Sequence, residues 1–570
     1  MILKALYDYY HRNDELAPFG CELKEIGFLL VIDYNGNFLR FEDRRIDKKS
    51  AQKFLVKKTV GRTSAPIANH LYDNSAYVFG YSEKEENCDK YLSKFKEYVE
   101  CIYQANPNNV QIKAVYKFYQ KDLDTIIETL KKDTLWEEIS KNLNNKYSIF
   151  SFLLEGETKI IAEIPELFPK TSETNTNNEH ICLITGNKSD VVETTTATMI
   201  PKSQATAKLV SFQVNSGYDS YGKKQGLNAP ISKEAEFAFT TALNHLLRSD
   251  SHNKFLIGNR TFVFWASKND DAGLQAENSI FNMFGFTDDK KDNPDIGIEQ
   301  VRKTFTAIYS GILNTSLDDK FYILGLSPNI ARIAVSYWAE IPLKEFARMI
   351  LKHFKDMEII DTRKERKPYF GLRTILSAVT LGGKVSDVTP NLPEQVIKSI
   401  FQGIPYPQTL FASCIRRIRA EQNLSITRAA IIKAYLNRLN NNEINITPKL
   451  DKTNTNQGYL CGRLFAVLDK IQGDANNQHS IKERYMNAAS ATPASVFATI
   501  LNLSSHHSEK LNESKKIFYE RKKQEIVEKI SADGFPTHLD LHDQGRFFVG
   551  YYHQTQDFYT KNEPENNNNE

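Results

Sequence analysis

Few residues in this chain have the type and spacing that chemistry demands. His538-Leu539-Asp540-Leu541-His542-Asp543 is the best metal-like string, with His506-His507 nearby in sequence. Such imidazoles and carboxylates hold the divalent ions of hydrolases and nucleases. His538, Asp540 and His542 share one face only in an extended chain. The flanking Phe535-Pro536 and Gln544-Gly545 predict a turn and a helix start instead, which favours a capping or surface role. A second stretch, ICLITGNKS at 181–189, looks like the tail of a phosphate-binding loop. Its first glycine is missing and Gly186 is not adjacent to Lys188, so nucleotide binding is not expected. No GxSxG, HExxH or dinucleotide fingerprint occurs.

Binding chemistry is better represented. Residues 210–232 (VSFQVNSGYDSYGKKQGLNAPIS) open like a strand, with Val210 and Phe212 on one face. A polar loop follows, with Gly217, Gly222 and Gly226 among Asn215, Lys223, Lys224, Gln225 and Asn228. Ser232 stands at a helix N-cap position, ahead of Glu234 and Glu236. A loop of this kind can approach a phosphate backbone or a base edge, and an ordinary strand-to-helix connection has the same composition. Residues 44–62 hold eight basic side chains against Asp47, ending in Lys57, Lys58 and Arg62. Residues 411–440 hold six, including Arg416, Arg419 and Arg428, against Glu421. Such patches fit a nucleic-acid track or a solvated face. Between 69 and 77, Asn69, Asn74 and aromatic side chains interleave, which fits stacking on or hydrogen-bonding to bases and equally fits a helix or turn edge packed on the hairpin.

The elements that must carry these groups follow from periodicity. An amphipathic helix comes first. The apolar run 26–33 and the run 38–41, separated by Asn35-Gly36, predict a hairpin. Helical spacing dominates 84–145, and short strands are expected at 150–154 and 160–164. A helix is expected over 232–247, a buried strand at 261–266 and an exposed turn at 269–277. A hairpin turning at Ser327-Pro328-Asn329 is expected within 320–338, then a helix from Pro342. From about 390 the texture is helical only, with Leu460, Leu464, Val467, Leu468 and Ile471 on one face. The fold class is therefore α+β: an N-terminal region with antiparallel hairpins and helices, followed by an all-helical C-terminal bundle. The expected divisions are 1–400 as the α+β region, 401–456 as a helical connection and linker, 457–554 as the helical bundle and 555–570 as a disordered tail.

Composition bounds the class. With 570 residues, 73 Lys and Arg against 70 Asp and Glu, and 41% hydrophobic residues, the chain reads as a large globular protein whose net charge of +3 names no partner. Six scattered cysteines without a CxxC pair argue against a zinc ribbon and a disulfide framework. No run of 18 apolar residues occurs, so a soluble, reducing, cytoplasmic protein without a membrane partner is expected.

Several stretches taken together resemble one family, the large subunit of the type I-C CRISPR Cascade surveillance complex. They include MILKALYDYY at the start, FLVKKTVGRTSAPIANHLYDNSAYVFG at 54–80, CLITG at 182–186 and the loop at 210–232. FAFTTALNHLL, LGLSPNIARIAVSYW, GRLFAVLDKIQ, SATPASVFATIL and DQGRFFVGYYHQ continue the match in order. Gln213 stands where the family pattern has Asn. The resemblance implies a non-catalytic protein without a cofactor. It implies recognition of a short duplex motif beside the target, the PAM, together with duplex opening, R-loop stabilisation and presentation to a helicase–nuclease, while guide RNA reads sequence by pairing. Implied partners are crRNA, the backbone, 5′-end and small subunits, and target double-stranded DNA. The 457–554 region would resemble the Cascade small subunit. On this reading Lys57, Lys58, Arg62, Asn69, Asn74, Asn215, Lys223, Gln225 and Asn228 are candidates for PAM and duplex contacts. Arg416, Arg419, Arg428, Lys482, Arg484 and Lys522 are candidates for the displaced non-target strand. The alternatives are a metal-dependent nuclease using His538, Asp540 and His542, and a purely structural scaffold.

Overall fold

The apolar run near the N-terminus becomes the strand Phe28–Ile32, buried along its whole length. A strand with both faces covered reads as a continuous apolar run, which explains FLLVI. The computed structural model describes residues 2–560 except 48–49, 61, 63–65, 83–87, 144, 146, 169–178, 199, 214–220, 285–295, 331, 364–369, 440–444 and 477–479. The chain forms two compact units, one of Leu3–Thr196 with Val210–Leu243, the other of Ala197–Leu209 with Asn244–Glu570.

In the first unit Phe28–Ile32 pairs antiparallel with Phe38–Asp43 and parallel with Ile149–Leu154, which pairs antiparallel with Tyr72–Asn74. The Asn35-Gly36 turn forms as predicted. Asp33 Oδ1 accepts from the amides of Asn35 and Asn37, both at 2.8 Å, and Gly36 has φ +72°. A Cβ there would lie 2.4 Å from Phe118 N, so both conformation and space demand glycine. A parallel pair needs a long crossover, and the helices Cys88–Ala105, Val110–Tyr119, Leu123–Lys131 and Trp136–Asn142 supply it. Leu92, Phe95, Val99 and Ile102 recur at helical spacing and are buried in the core of this unit. Cys21–Glu25 and Lys53–Lys57 form a separate two-stranded ribbon.

The second unit is built on an antiparallel sheet in the order Arg332–Pro342, Lys320–Asn329, Arg260–Ala266, Lys254–Ile257. Phe262, Phe264, Phe321 and Ile323 are fully buried and belong to one core that continues to Tyr551 in the last helix. Each such side chain contributes about 1.5–3 kcal/mol by its burial. From Leu392 on, every described regular element is a helix, so the expected α+β class with an all-helical C-terminal part is the observed one. Helices Gln457–Asn476 and Leu541–Asp557 touch backbone to backbone. A Cβ on Gly462 would lie 1.9 Å from Phe547 O, and one on Gly550 2.2 Å from Tyr459 O.

Several local expectations are corrected. Residues 160–164 form no strand; the 3-10 turns Ile161–Glu163 and Pro165–Leu167 run there, and Pro165 has no amide to give a ladder. The expected turn at 269–277 is the start of helix Asp271–Phe284, because Asp270 Oδ1 accepts from Gly273 N at 2.8 Å and acts as its cap. Ser327, Pro328 and Asn329 belong to a strand and pair with Ala334, Ile333 and Arg332; the reversal comes later, at Ile330 with φ +54°. Val210 and Phe212 lie in no strand, and the Val210 carbonyl accepts from the Thr195 hydroxyl instead.

Candidate nucleic-acid interface

In the first unit the candidate residues between 57 and 77 are arranged around Asp73, which is 2% exposed. Its carboxylate accepts from Arg62 Nη2, from Asn69 N at 3.1 Å and from Asn74 N at 2.9 Å. The Arg62 guanidinium lies 4.0 Å from the centre of the Tyr77 ring. Asn69 Oδ1 accepts from Val60 N at 3.0 Å, and Asn74 Oδ1 caps helix Ser75–Val78 by accepting from Tyr77 N at 3.2 Å. Arg62, Asn69 and Asn74 are thus brought together, each engaged within the chain. Glu22 holds the other side, accepting from Thr59 N at 3.1 Å, while the Tyr72 hydroxyl donates to Lys57 O at 2.8 Å. Burial, with the Lys57 charge nearby, lowers the His70 pKa to about 4 and keeps that ring neutral.

The two lysines lead outward from this network. Lys57 Nζ sits 5.1 Å from the Phe168 ring centre. Lys58 Nζ donates to Thr196 Oγ1 at 3.0 Å and lies over the Phe237 ring. Thr196 N donates in turn to Glu236 Oε1 at 2.5 Å, in the first turn of helix Lys233–Leu246. Ser232 caps that helix as predicted, its Oγ accepting from Ala235 N at 3.1 Å.

The same segment anchors the loop. Gly226 N donates to Glu193 O at 3.0 Å, and a Cβ on Gly226 would lie 2.0 Å from Val192 O. The short 3-10 turn Gln225–Asn228 therefore docks on residues 192–193 only because position 226 is glycine. Asn228 Nδ2 donates to Lys223 O at 3.3 Å and to Gln225 O at 3.0 Å, and Gln225 holds φ +42°. Lys58 and the loop, far apart in sequence, meet on residues 193–196. Lys223, Lys224 and Tyr221 stay exposed, Tyr221 completely so. Asn215 lies outside the described residues.

In the second unit Arg416 and Arg419 lie on helix Gln408–Glu421, Lys482 and Arg484 on helix Ser480–Ala489. The two helices meet where Asn487 Nδ2 donates to Arg419 O at 3.3 Å and Gln422 Nε2 to Glu483 O at 2.7 Å. Arg416 and Arg484 are exposed, and Arg419 is half-buried. Arg428 is buried. Its guanidinium donates to Ala378 O at 2.9 Å, to Asn423 O at 2.7 Å and to Glu421 Oε2. Lys522 stands apart on helix Glu513–Val527, paired with Asp557 at 3.1 Å.

Of the metal-like string, Asp540 is the N-cap of helix Leu541–Asp557 and accepts from Asp543 N at 2.8 Å. His542 points at the rings of Phe411 and Tyr435. Among the described residues no three His, Cys, Asp or Glu side chains gather as a metal site would require, and no helix is long and apolar enough to cross a membrane. Sequence reasoning missed Asp73, Glu22, Thr196 and Glu236, which position the candidates. Glu236 was legible only as a first-turn acid of its helix and Asp73 and Glu22 only as isolated acids, while Thr196 had no sequence signal.

With this geometry in view, comparison with protein-family models matches residues 6–559 to the family described as CRISPR-associated protein (Cas_Csd1). No curated protein matches the chain.

Proposed function

The chain belongs to the Csd1 family of CRISPR-associated proteins, a Cascade subunit family, and from that premise we propose that it reads the PAM in duplex DNA and holds the displaced strand without catalysis. The observation that carries this reading is the convergence of Lys58 and the turn Gln225–Asn228 on residues 193–196. It leaves Lys223 and Lys224 facing solvent beside a docked, amide-bearing turn. Lysines there neutralise phosphates, and amides read base edges. Arg62, Asn69 and Asn74 act as the frame of this surface, since their polar groups are held by Asp73, Val60 and Tyr77.

For the displaced strand, Arg416, Arg419, Lys482 and Arg484 form an electrostatic track with little sequence preference. Arg428 supports the fold of that track from inside. The helices from Gln457 to Asp557 take the part of a small subunit, and a helicase–nuclease, crRNA and neighbouring subunits are the partners.

The test is made in the assembled complex with Lys223→Ala and Asn228→Ala. Weaker target binding in both, with altered PAM discrimination for Asn228→Ala, is expected. Wild-type affinity and discrimination in both variants would sink the loop assignment. Incubation of the purified chain with Mg²⁺ or Mn²⁺ and DNA tests the absence of catalysis: robust cleavage lost in His542→Ala overturns it.

A further inference from the structure

The sheet of the second unit ends at strand Lys254–Ile257, which pairs on one side only, with Arg260–Ala266. Phe264 N donates to Asn253 O at 2.9 Å, and this sets the phase of the ladder. Bonded and unbonded pairs alternate between antiparallel strands. Phe255 and Ile257 therefore bond to Phe262 and Arg260, while Lys254 and Leu256 turn their N–H and C=O groups outward. Among the described residues nothing bonds to those outward groups, and Leu256 is 39% exposed.

A cavity flanks this edge on each face of the sheet. Side chains alternate along a strand, so Phe255 faces the core, and Leu256 with its partner Thr261 faces the other way. On the core side a cavity of about 330 Å³ is walled by Phe255, Phe281 and His252, whose ring stacks on Phe281 at 4.6 Å. On the opposite face a cavity of about 310 Å³ is walled by Leu256, Thr261, Leu247, Ile200 and Pro201. Ser249 and Lys254 line both. Lys254 Nζ donates to Leu247 O at 2.7 Å and to Arg248 O. Asp250, the acid whose charge acts on Lys254, is paired with Arg248 at 3.5 Å.

Outward donors and acceptors at strand spacing are matched by an extended main chain, whose successive side chains then alternate between the two cavities. A nucleic-acid strand offers neither. A second copy joined edge to edge would put two Lys254 ammonium groups on one face of the shared sheet, as like charges in neighbouring pairs. We propose that this edge receives, as a fifth strand, an extended segment of a neighbouring protein subunit; this rests on membership of the Cascade family and not on the DNA reading above. Added antiparallel, the segment places an apolar residue opposite Leu256, the next apolar residue in the core-side cavity and an acidic residue opposite Lys254.

The experiment uses the full chain in the assembled complex. Ser249→p-benzoylphenylalanine puts a photocrosslinker at an exposed position that lines both cavities. Crosslinking to one segment of another protein subunit, with the order apolar, apolar, acidic, is expected. Crosslinks confined to a second copy of this chain or to nucleic acid, or no crosslink, overturn the proposal. Hydrogen exchange at the Lys254 and Leu256 amides is expected to be at least about tenfold slower in the complex than in the free chain, the loss of one or more kcal/mol of opening. Equal rates overturn the proposal, and this comparison needs no variant. Leu256→Pro removes an outward N–H and no ladder bond, whereas Leu256→Thr keeps that N–H. With melting temperatures matched, the proline variant is expected to hold the crosslinked subunit about three- to tenfold more weakly, as loss of one main-chain hydrogen bond requires. Equal binding by the two variants overturns the strand pairing. None of these readouts involves target DNA, so failure here leaves the PAM reading standing, and the reverse holds as well.

Discussion

Asp73 takes one guanidinium and two backbone amides in a site closed to water. A carboxylate so placed is stable only while its donors remain, because its charge has lost hydration. Arg62→Ala should therefore cost about 3 kcal/mol, the low end for breaking a buried pair, since both amides stay. A urea midpoint equal to wild type would count against this. Among the described residues Lys223 engages only through its carbonyl, and its side chain is exposed. Lys223→Ala should weaken binding uniformly across target sequences and reduce the salt slope by about 1. Arg428→Ala should do the reverse, lowering stability with no change in that slope, because its guanidinium is spent on Ala378, Asn423 and Glu421. A reduced salt slope for Arg428→Ala would place it on the strand after all. The basic residues were easy to find in the sequence; which of them face solvent was not, since burial depends on elements far away.

At the scale of elements, two contacts depend on glycine. Gly226 lets the loop turn meet residues 192–193, and Gly462 lets helix Gln457–Asn476 meet Leu541–Asp557. Alanine raises intrinsic helix propensity by about 1 kcal/mol over glycine. At Gly462 that gain is outweighed, because the new methyl meets a backbone carbonyl at 1.9 Å and no rotamer change relieves it. Gly462→Ala should lower the melting temperature by several degrees; a melting temperature at or above wild type would refute the packing argument. Most of the helices here were readable from apolar periodicity. The strand errors, at 160–164 and 327–329, came from Pro and polar residues whose meaning depends on what lies across the ladder.

For the whole molecule, neutral buried histidines link stability to pH. Burial lowers His70 to about 4 in the first unit, and His353 and His553 to about 3 in the second. The unfolded chain protonates them near 6.5, so below that pH it binds more protons than the folded chain. Stability is therefore full above about 6.5 and falls as pH drops towards 4, each histidine contributing about 1.4 kcal/mol per pH unit well inside that window. Urea midpoints at pH 7, 6 and 5 check this, with His553→Gln expected to flatten the slope. A midpoint independent of pH in this range would be incompatible with neutral buried rings.

The sequence by itself determined the α+β class, the all-helical C-terminal part, the Asn35-Gly36 turn, the Ser232 cap and the family resemblance. These depend on local periodicity, on backbone preference or on residues in linear order, and each is written within a few positions. Tertiary structure alone decided that Lys58 and the Gln225–Asn228 turn meet on one segment, that Asp73 gathers Arg62, Asn69 and Asn74, and that Arg428 faces inward. Those outcomes depend on which groups lose water together. That is set by the packing of distant elements, and no short window of sequence contains it.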